Sequence, residues 1–357
     1  MHLLGFEVYS IVSSAENWVC MFCHSWCKKI FHRNHQMTTS IPVPKISKLD
    51  KRVSVLGKGI SGRVELYQGK GGIRYAVKVY HTREKHETKK EYRERILHEY
   101  HILQSLHHCN IIPVYKYEVL TLGSTVKMYM MAGTPHLLKL LDSVKLGTSE
   151  ILCYWKQLCL GILYLHSHGI CHRDLKLENI VFDEKCKLLK IIDFATADST
   201  DTPSIGLVGS EKYAAPETFS SIKYDGKALD IWSLGIILYY LKHRRFPWKQ
   251  AHRNDPDYEA YSSSSNLLQF HVESNITSQI LEKSVENRVT ISQLCEDTWF
   301  KTILFCSDSS DCGLTHKVTP WEKWSFLFDS EQITCTPSGI KTILIFFVFF
   351  FSNLLVI

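Results

Sequence analysis

Strand-like segments come first in this chain and helical ones follow, and that order restricts the fold more than any single motif. Val53 and Val55, then Val64 and Leu66, fall at strand spacing on either side of a glycine-bearing turn. Residues 73–80 alternate as a third strand, which puts Ala76 and Lys78 on one face and Val77 and Val79 on the other. Residues 91–106 then read as a helix, with Ile96, Leu97, Ile102, Leu103 and Leu106 at helical spacing. Residues 150–166 form a long amphipathic helix, and 230–241 an almost wholly apolar, buried one. Segregation of strands from helices predicts an α+β protein in which a small β-rich lobe joins a larger helical lobe.

Composition narrows the class coarsely. The 357 residues carry 42 Lys+Arg against 36 Asp+Glu, a formal net charge of +6, with 45% hydrophobic and 22% charged residues. That balance excludes global disorder, collagen-like repeats and a polytopic membrane protein. No long basic run with interleaved aromatics is present, so no nucleic-acid partner is expected. Cys109, Cys153, Cys159, Cys171, Cys186 and Cys295 are scattered singly through the middle of the chain, the usage of reduced intracellular thiols. Residues 1–20 are apolar but interrupted by Glu7 and lack a basic start, a poor secretory signal. The expectation is a cytoplasmic protein in three zones. Residues 1–48, rich in aromatics, His and Cys, read as a poorly ordered leader. Residues 49–302 form one domain, and 303–357 an irregular extension ending in an apolar tail at 342–357.

Chemistry concentrates in the middle zone. Gly57-Lys58-Gly59-Ile60-Ser61-Gly62-Arg63-Val64 is a G-x-G-x-x-G-x-V stretch between two strands. Glycines let backbone N–H groups approach anionic oxygens, so the stretch is either a phosphate-covering loop or an ordinary hairpin turn. A dinucleotide fold would need a helix directly after the glycines, and a strand follows instead. Lys78 sits mid-strand, where burial is costly without an anionic partner. Glu99 on the following helix is the suitable one. Next come Cys171-His172-Arg173-Asp174-Leu175-Lys176-Leu177-Glu178-Asn179, then Ile192-Asp193-Phe194-Ala195 and Ala215-Pro216-Glu217, with Arg288 ahead of Trp299.

In this order, across about 250 residues, these motifs resemble a eukaryotic protein kinase domain of the Ser/Thr type, with its bilobal fold. The resemblance implies ATP and Mg²⁺ as cofactors. The Gly57–Gly62 loop (Gly57, Lys58, Gly59, Ile60, Ser61, Gly62) would cover the ATP phosphates. Lys78, braced by Glu99, would hold two of them. Val64, Ala76 and Val181 would sandwich the adenine, and 128–132 would form the hinge, with Met128 as gatekeeper and Met131 further along. Asp174 would orient or accept the substrate hydroxyl proton, and Lys176 would neutralise charge on the transferring group. Asn179 and Asp193 would hold two Mg²⁺ ions, hard cations suited to oxygen ligands. Glu217 and Arg288 resemble the family's structural ion pair. Lys176, two residues after Asp174, and Gly209-Ser210-Glu211-Lys212-Tyr213 resemble the pattern of enzymes acting on protein Ser/Thr. A monomer is expected.

Ala195 departs from the family pattern, standing where Asp-Phe-Gly has its glycine. A methyl group there would cost about 1 kcal/mol of backbone freedom, and more if φ must be positive. The chemical groups are all present, so the chain reads as an enzyme; the alternatives are a pseudokinase scaffold and a membrane-anchored adaptor. Arg173 invites pairing with a phosphate on the 193–217 segment, with Ser204 or Thr202 nearest the usual position; an ordered loop without phosphate is the alternative. Within the family the motifs look like the fungal halotolerance and nitrogen-permease-regulating kinases, which act on plasma-membrane transporters. A calcium/calmodulin-dependent or energy-sensing type is the rival. In the flanks, Cys20-Met21-Phe22-Cys23-His24 matches a haem-attachment pattern that a kinase does not use. With Cys27, His32 and His35 it could bind zinc in no recognised finger spacing. The tail 342–357 would span roughly 24 Å as a helix, short of the ~30 Å hydrocarbon core. A tail anchor, a segment folded on the core and a read-through into noncoding sequence are the readings open for it.

Overall fold

The computed structural model describes residues 44–318, except 60, 82–86, 121–124, 184–186, 207–208 and 264–275. The chain divides into two units, Met1–Pro44 and Lys45–Ile357, and all of its described strands and helices lie in the second. The Cys/His stretch at 20–35, Ile60 of the glycine loop and the tail at 342–357 lie outside the described residues.

Five strands, β1 (Lys51–Lys58), β2 (Gly62–Gln68), β3 (Arg74–Tyr80), β4 (Val114–Leu120) and β5 (Thr125–Met131), form one antiparallel sheet in the order β1-β2-β3-β5-β4. Directly opposed residues share a face. Val64, Lys78 and Met128 therefore line up on one side, as do Leu66, Ala76 and Met130. The other side carries Tyr75, Val77, Val79 and Tyr129, which bury one another beneath Ile46, Tyr67 and Tyr115. Helix α1 (Lys89–Ser105) is inserted between β3 and β4. It opens on a capping box, in which the Thr88 hydroxyl accepts from the Glu91 amide and the Glu91 carboxylate accepts from the Thr88 amide. It buries Tyr92, Ile96, Glu99 and Leu103.

Beyond β5 the chain turns helical. α2 (Leu137–Leu141) and α3 (Thr148–Ser167) lead into the short strands β6 (Ile170–Cys171), β7 (Ile180–Phe182), β8 (Leu189–Ile191), β9 (Asp198–Ser199) and β10 (Ser204–Ile205). Next are α4 (Glu217–Ser220), β11 (Lys223–Tyr224) and α5 (Gly226–His243), then α6 (Pro256–Ser263), α7 (Ile276–Ile280), α8 (Ile291–Glu296) and α9 (Thr298–Thr302). α3 and α5 form the centre of this lobe. Trp155 on α3 and Trp232 on α5 are both fully buried, and the Trp155 indole N–H donates to the Leu234 carbonyl at 3.1 Å. Each buried Leu, Ile or Val contributes roughly 1.5–3 kcal/mol, and the middle of α5 is almost wholly apolar because residues 229–239 are buried throughout. The Arg288 guanidinium makes a two-pronged pair with Glu217 at 2.6 and 2.9 Å, both side chains buried.

The expected α+β arrangement of two lobes is present. Residues 303–318 contain no helix or strand, yet they are not loose. Ile303, Cys306 and Val318 are buried, and the Lys317 amide donates to Glu150 at the start of α3. Among the described residues no helix is long and apolar enough to cross a membrane.

Candidate active site

β3 and α1 supply the first half of the site. Lys78 is 5% exposed, and its ammonium donates to Glu99 Oε1 and Oε2 at 2.8 and 2.9 Å and to Asp193 Oδ1 at 2.7 Å. The Tyr80 hydroxyl donates to Glu99 Oε2 at 2.7 Å, so the buried carboxylate is held from two sides. Burial alone would lower the Lys78 ammonium, but the charges of Glu99 and Asp193 outweigh it and raise it above the usual lysine range. Burial alone would likewise raise the Asp193 carboxyl, yet the charge and hydrogen bond of Lys78 hold it below the usual carboxylate range. Asp193 stays an anion.

The second half is the loop between β6 and β7. Lys176 Nζ donates to Asp174 Oδ2 at 2.6 Å and to Ser210 Oγ at 3.0 Å, and Ser210 Oγ donates to Asp174 Oδ1 at 3.3 Å. The Asn179 amide nitrogen donates to the Asp174 carbonyl at 2.9 Å and to Oδ2 at 3.3 Å. Asp230, fully buried on α5, fixes this loop's backbone. Its Oδ2 accepts from the His172 amide at 2.8 Å and its Oδ1 from the Arg173 amide at 2.8 Å, while His166 Nε2 lies 2.9 Å from Oδ2. Gly209 lets the facing segment close over the loop. It has φ +86°, and a Cβ there would sit 2.7 Å from the Arg173 carbonyl.

The structure thus brings Lys78, Glu99 and Asp193 into one cluster and Asp174, Lys176 and Asn179 into another. Val64, Ala76 and Met128 share the sheet face of Lys78, and Val181 lies against Gly133, just past β5. Gly57, Lys58, Gly59, Ser61 and Gly62 make the β1–β2 turn, where a Cβ at Gly57 or Gly59 would meet nothing within 4 Å. Met131 is not brought in. It pairs with Tyr75, so its side chain belongs to the opposite face, and its amide donates to the Pro113 carbonyl at 3.0 Å.

Ala195 is exposed and does not take a positive φ, so its methyl group is not strained; the left-handed non-glycine residues are Arg173, Asp193 and Arg244 among those described. Ser204 is 1% exposed, and its hydroxyl lies 3.4 Å from Arg173 Nη1; Thr202 is exposed. The Arg173 guanidinium pairs with Asp198 at 3.3 Å and donates to the Thr196 carbonyl at 2.6 Å. Asp230 was hidden at the head of an apolar run, and no local pattern ties it to residues 166–173.

The donor set suits a hard cation. Asn179 spends its amide nitrogen on Asp174 and keeps its oxygen as the ligand end. Asp193 is an anion, and both offer oxygen only. The open space over Gly57 and Gly59 and the single lysine between two carboxylates suit a polyanion.

A family description, the protein kinase domain, matches residues 51–300. The chain is 32% identical over 327 residues to serine/threonine-protein kinase oca2 of Schizosaccharomyces pombe, a match that spans 83% of this chain and 48% of that protein. It is 35% identical over 229 residues to the nitrogen permease reactivator protein of Saccharomyces cerevisiae, spanning 62% of this chain and 29% of that one. Against serine/threonine-protein kinase HAL4/SAT4 of the same yeast the figures are 30% over 278 residues, 71% and 46%. The chain spans about half the length of the curated relatives it matches, or less.

Proposed function

The chain belongs to the protein kinase family, and we propose that it transfers the γ-phosphoryl group of ATP to Ser and Thr hydroxyls of proteins. The observation that carries this is the Asp174–Lys176–Ser210 triangle beside Asn179, with Lys78 bridging Glu99 and Asp193. Mg²⁺ on Asn179 and Asp193 would supply positive charge against the triphosphate. Lys78 holds phosphate oxygens from a position that Glu99 and Tyr80 fix. Asp174 receives the hydroxyl of the substrate and its departing proton, with its carboxylate oriented by Asn179 and Ser210. Lys176 turns from Asp174 toward the phosphoryl group as charge gathers there. Tyr213 and Ser210 sit on the segment a peptide would lie against; the Tyr213 hydroxyl donates to Glu178 at 3.1 Å.

The test is phosphate transfer from labelled ATP by the full chain to a mixture of Ser/Thr peptides. Asp174→Asn keeps the shape and removes the base, so the rate should fall by about 10²–10⁴-fold with little change in melting temperature. Transfer that survives in this variant at the parent rate would overturn the mechanism. No transfer by the parent chain, with nucleotide still bound, would favour a pseudokinase scaffold.

The relative named nitrogen permease reactivator protein supports a finer reading, in which the enzyme regulates membrane transporters or nutrient and ion signalling. We place the enzyme in the cytoplasm, on the scattered single cysteines of the middle of the chain, and take membrane association through the apolar run at 342–357 as the reading to test. Fractionation with and without 340–357 tests the latter, since an unchanged soluble pool removes the anchor.

A further inference from the structure

We propose that Cys153, Cys306, Cys312 and His316 bind one Zn²⁺ ion, which fastens the segment after α9 to helix α3.

The four ligand atoms lie within 4.8 Å of one another. Zinc–sulfur bonds of about 2.3 Å and zinc–nitrogen bonds of about 2.0–2.1 Å set the edges of a tetrahedron near 3.8 Å between sulfurs and 3.5 Å between sulfur and nitrogen. The sulfur edges are 3.9 Å for Cys153–Cys312 and 3.4 Å for Cys306–Cys312. His316 Nε2 lies 3.5, 3.8 and 3.7 Å from the sulfurs of Cys153, Cys306 and Cys312. A disulfide would need about 2.05 Å, so neither measured sulfur pair is bonded.

A second feature points the same way. The sulfurs accept hydrogen bonds: Cys153 from Gln157 Nε2 at 3.5 Å, Cys306 from the Cys312 amide at 3.5 Å, and Cys312 from the Leu314 amide at 3.4 Å. Donors aimed at three neighbouring sulfurs suit metal-bound thiolates better than neutral thiols, which accept weakly. Three soft thiolates and one imidazole select zinc over the hard cations that suit Asn179 and Asp193. Four protein ligands leave no open position, which marks a structural site and not a catalytic one.

The placement gives the ion a task. Cys153 is fully buried on α3, whereas the other three ligands follow as C-x5-C-x3-H in a segment without helix or strand. Such a segment lacks a hydrogen-bonded ladder of its own, and a metal shared with α3 supplies the order. The Lys317 amide, 2.6 Å from Glu150, and the Asp311–Lys187 ion pair flank the cluster. The Tyr154 ring packs on both His316, at 5.3 Å, and Phe182 of β7, at 4.6 Å, so the site is joined to the core around β7.

Elemental analysis of the full chain, purified without chelator from zinc-supplemented medium, should find one zinc per chain. Cys306→Ser/Cys312→Ser should lose it and melt several degrees lower. Because 20–35 is also rich in Cys and His, a variant with Cys20, Cys23 and Cys27 changed to Ser should keep the ion. Cobalt loaded in place of zinc should give the visible bands of a tetrahedral thiolate site, altered in His316→Asn. Should the double variant not fold, a zinc chelator should lower the parent's melting temperature and added Zn²⁺ restore it. Zinc far below one per chain, zinc unchanged in the double variant, a Cys306–Cys312 disulfide by mass, or a melting temperature indifferent to chelation would each overturn the proposal.

Discussion

Gly59 and Gly62 belong to one turn but answer to different constraints. A Cβ on Gly62 would lie 2.3 Å from the Val79 carbonyl, whereas one on Gly59 would meet nothing. Gly62 is therefore required by the β2–β3 contact, whatever the loop covers, and Gly59 is free of the fold. Gly62→Ala should push the strands apart, cost about 1–3 kcal/mol and lower the melting temperature. Gly59→Ala should leave the melting temperature alone and raise KM for ATP, because a methyl group would occupy the space where a phosphate approaches. Thermal melts beside initial-rate kinetics separate the two. Equal melting temperatures for both variants would show that the turn adjusts freely and that the Gly62 contact is not a constraint. The motif alone could not make this distinction. It reads as three equivalent glycines, and the difference lies in a strand more than ten residues further on.

At the scale of elements, α5 controls the catalytic loop through one residue. Asp230 accepts from the His172 and Arg173 amides at 2.8 Å each, and Arg173 holds a left-handed φ of 66°. An uncommon conformation next to Asp174 persists because a buried carboxylate anchors the amides around it. Asp230→Asn replaces one oxygen by a donor and leaves at least one of those amides unmet, at about 1–3 kcal/mol. The expected outcome is a lower melting temperature together with a fall in kcat larger than any change in KM for ATP, since Lys78 stands on another element. A lowered melting temperature with kcat intact would make Asp230 a stability residue only. The elements themselves were largely legible. Alternation located β1 to β3, and helical spacing located α1, α3 and α5 to within a few residues. Lys78 and Glu99 could be paired because a lysine in an apolar strand demands an anion. What could not be read is long-range pairing between side chains with no pattern in common. Asp230 with residues 166–173 is one case. Cys153 with Cys306, Cys312 and His316 is another, because a thiol on a helix looks the same with and without partners across the fold. Met131 shows the converse limit, since the family's hinge position carries no information about which sheet face a side chain takes.

For the molecule as a whole, the junction of the lobes runs through residues 106–113. The Ile112 amide donates to the Ile191 carbonyl at 3.1 Å, the Ile191 amide to the Asn110 carbonyl at 2.8 Å, and the His107 amide to the Tyr164 hydroxyl at 2.9 Å. His108 stacks on Tyr164 at 4.8 Å, and its Nδ1 accepts from the Asn110 amide at 3.1 Å. That acceptor role needs an unprotonated Nδ1. Burial, with smaller contributions from the charges of Lys190 and His168, lowers the imidazole from 6.5 to about 4. Above pH 6.5 the group is neutral in both the folded and unfolded chain and makes no difference. As pH falls from 6.5 towards 4, the unfolded chain takes up a proton that the folded chain refuses, so stability drops across that window. Melting temperatures measured at about pH 7.5 and about pH 5 should therefore fall for the parent chain and fall less for His108→Asn, which keeps an acceptor but does not titrate in this range. The comparison isolates His108 because carboxylates held low, such as Asp193, act on more acidic ground and are shared by both proteins. An equal drop in the two would place the acid sensitivity elsewhere than at the seam between the lobes.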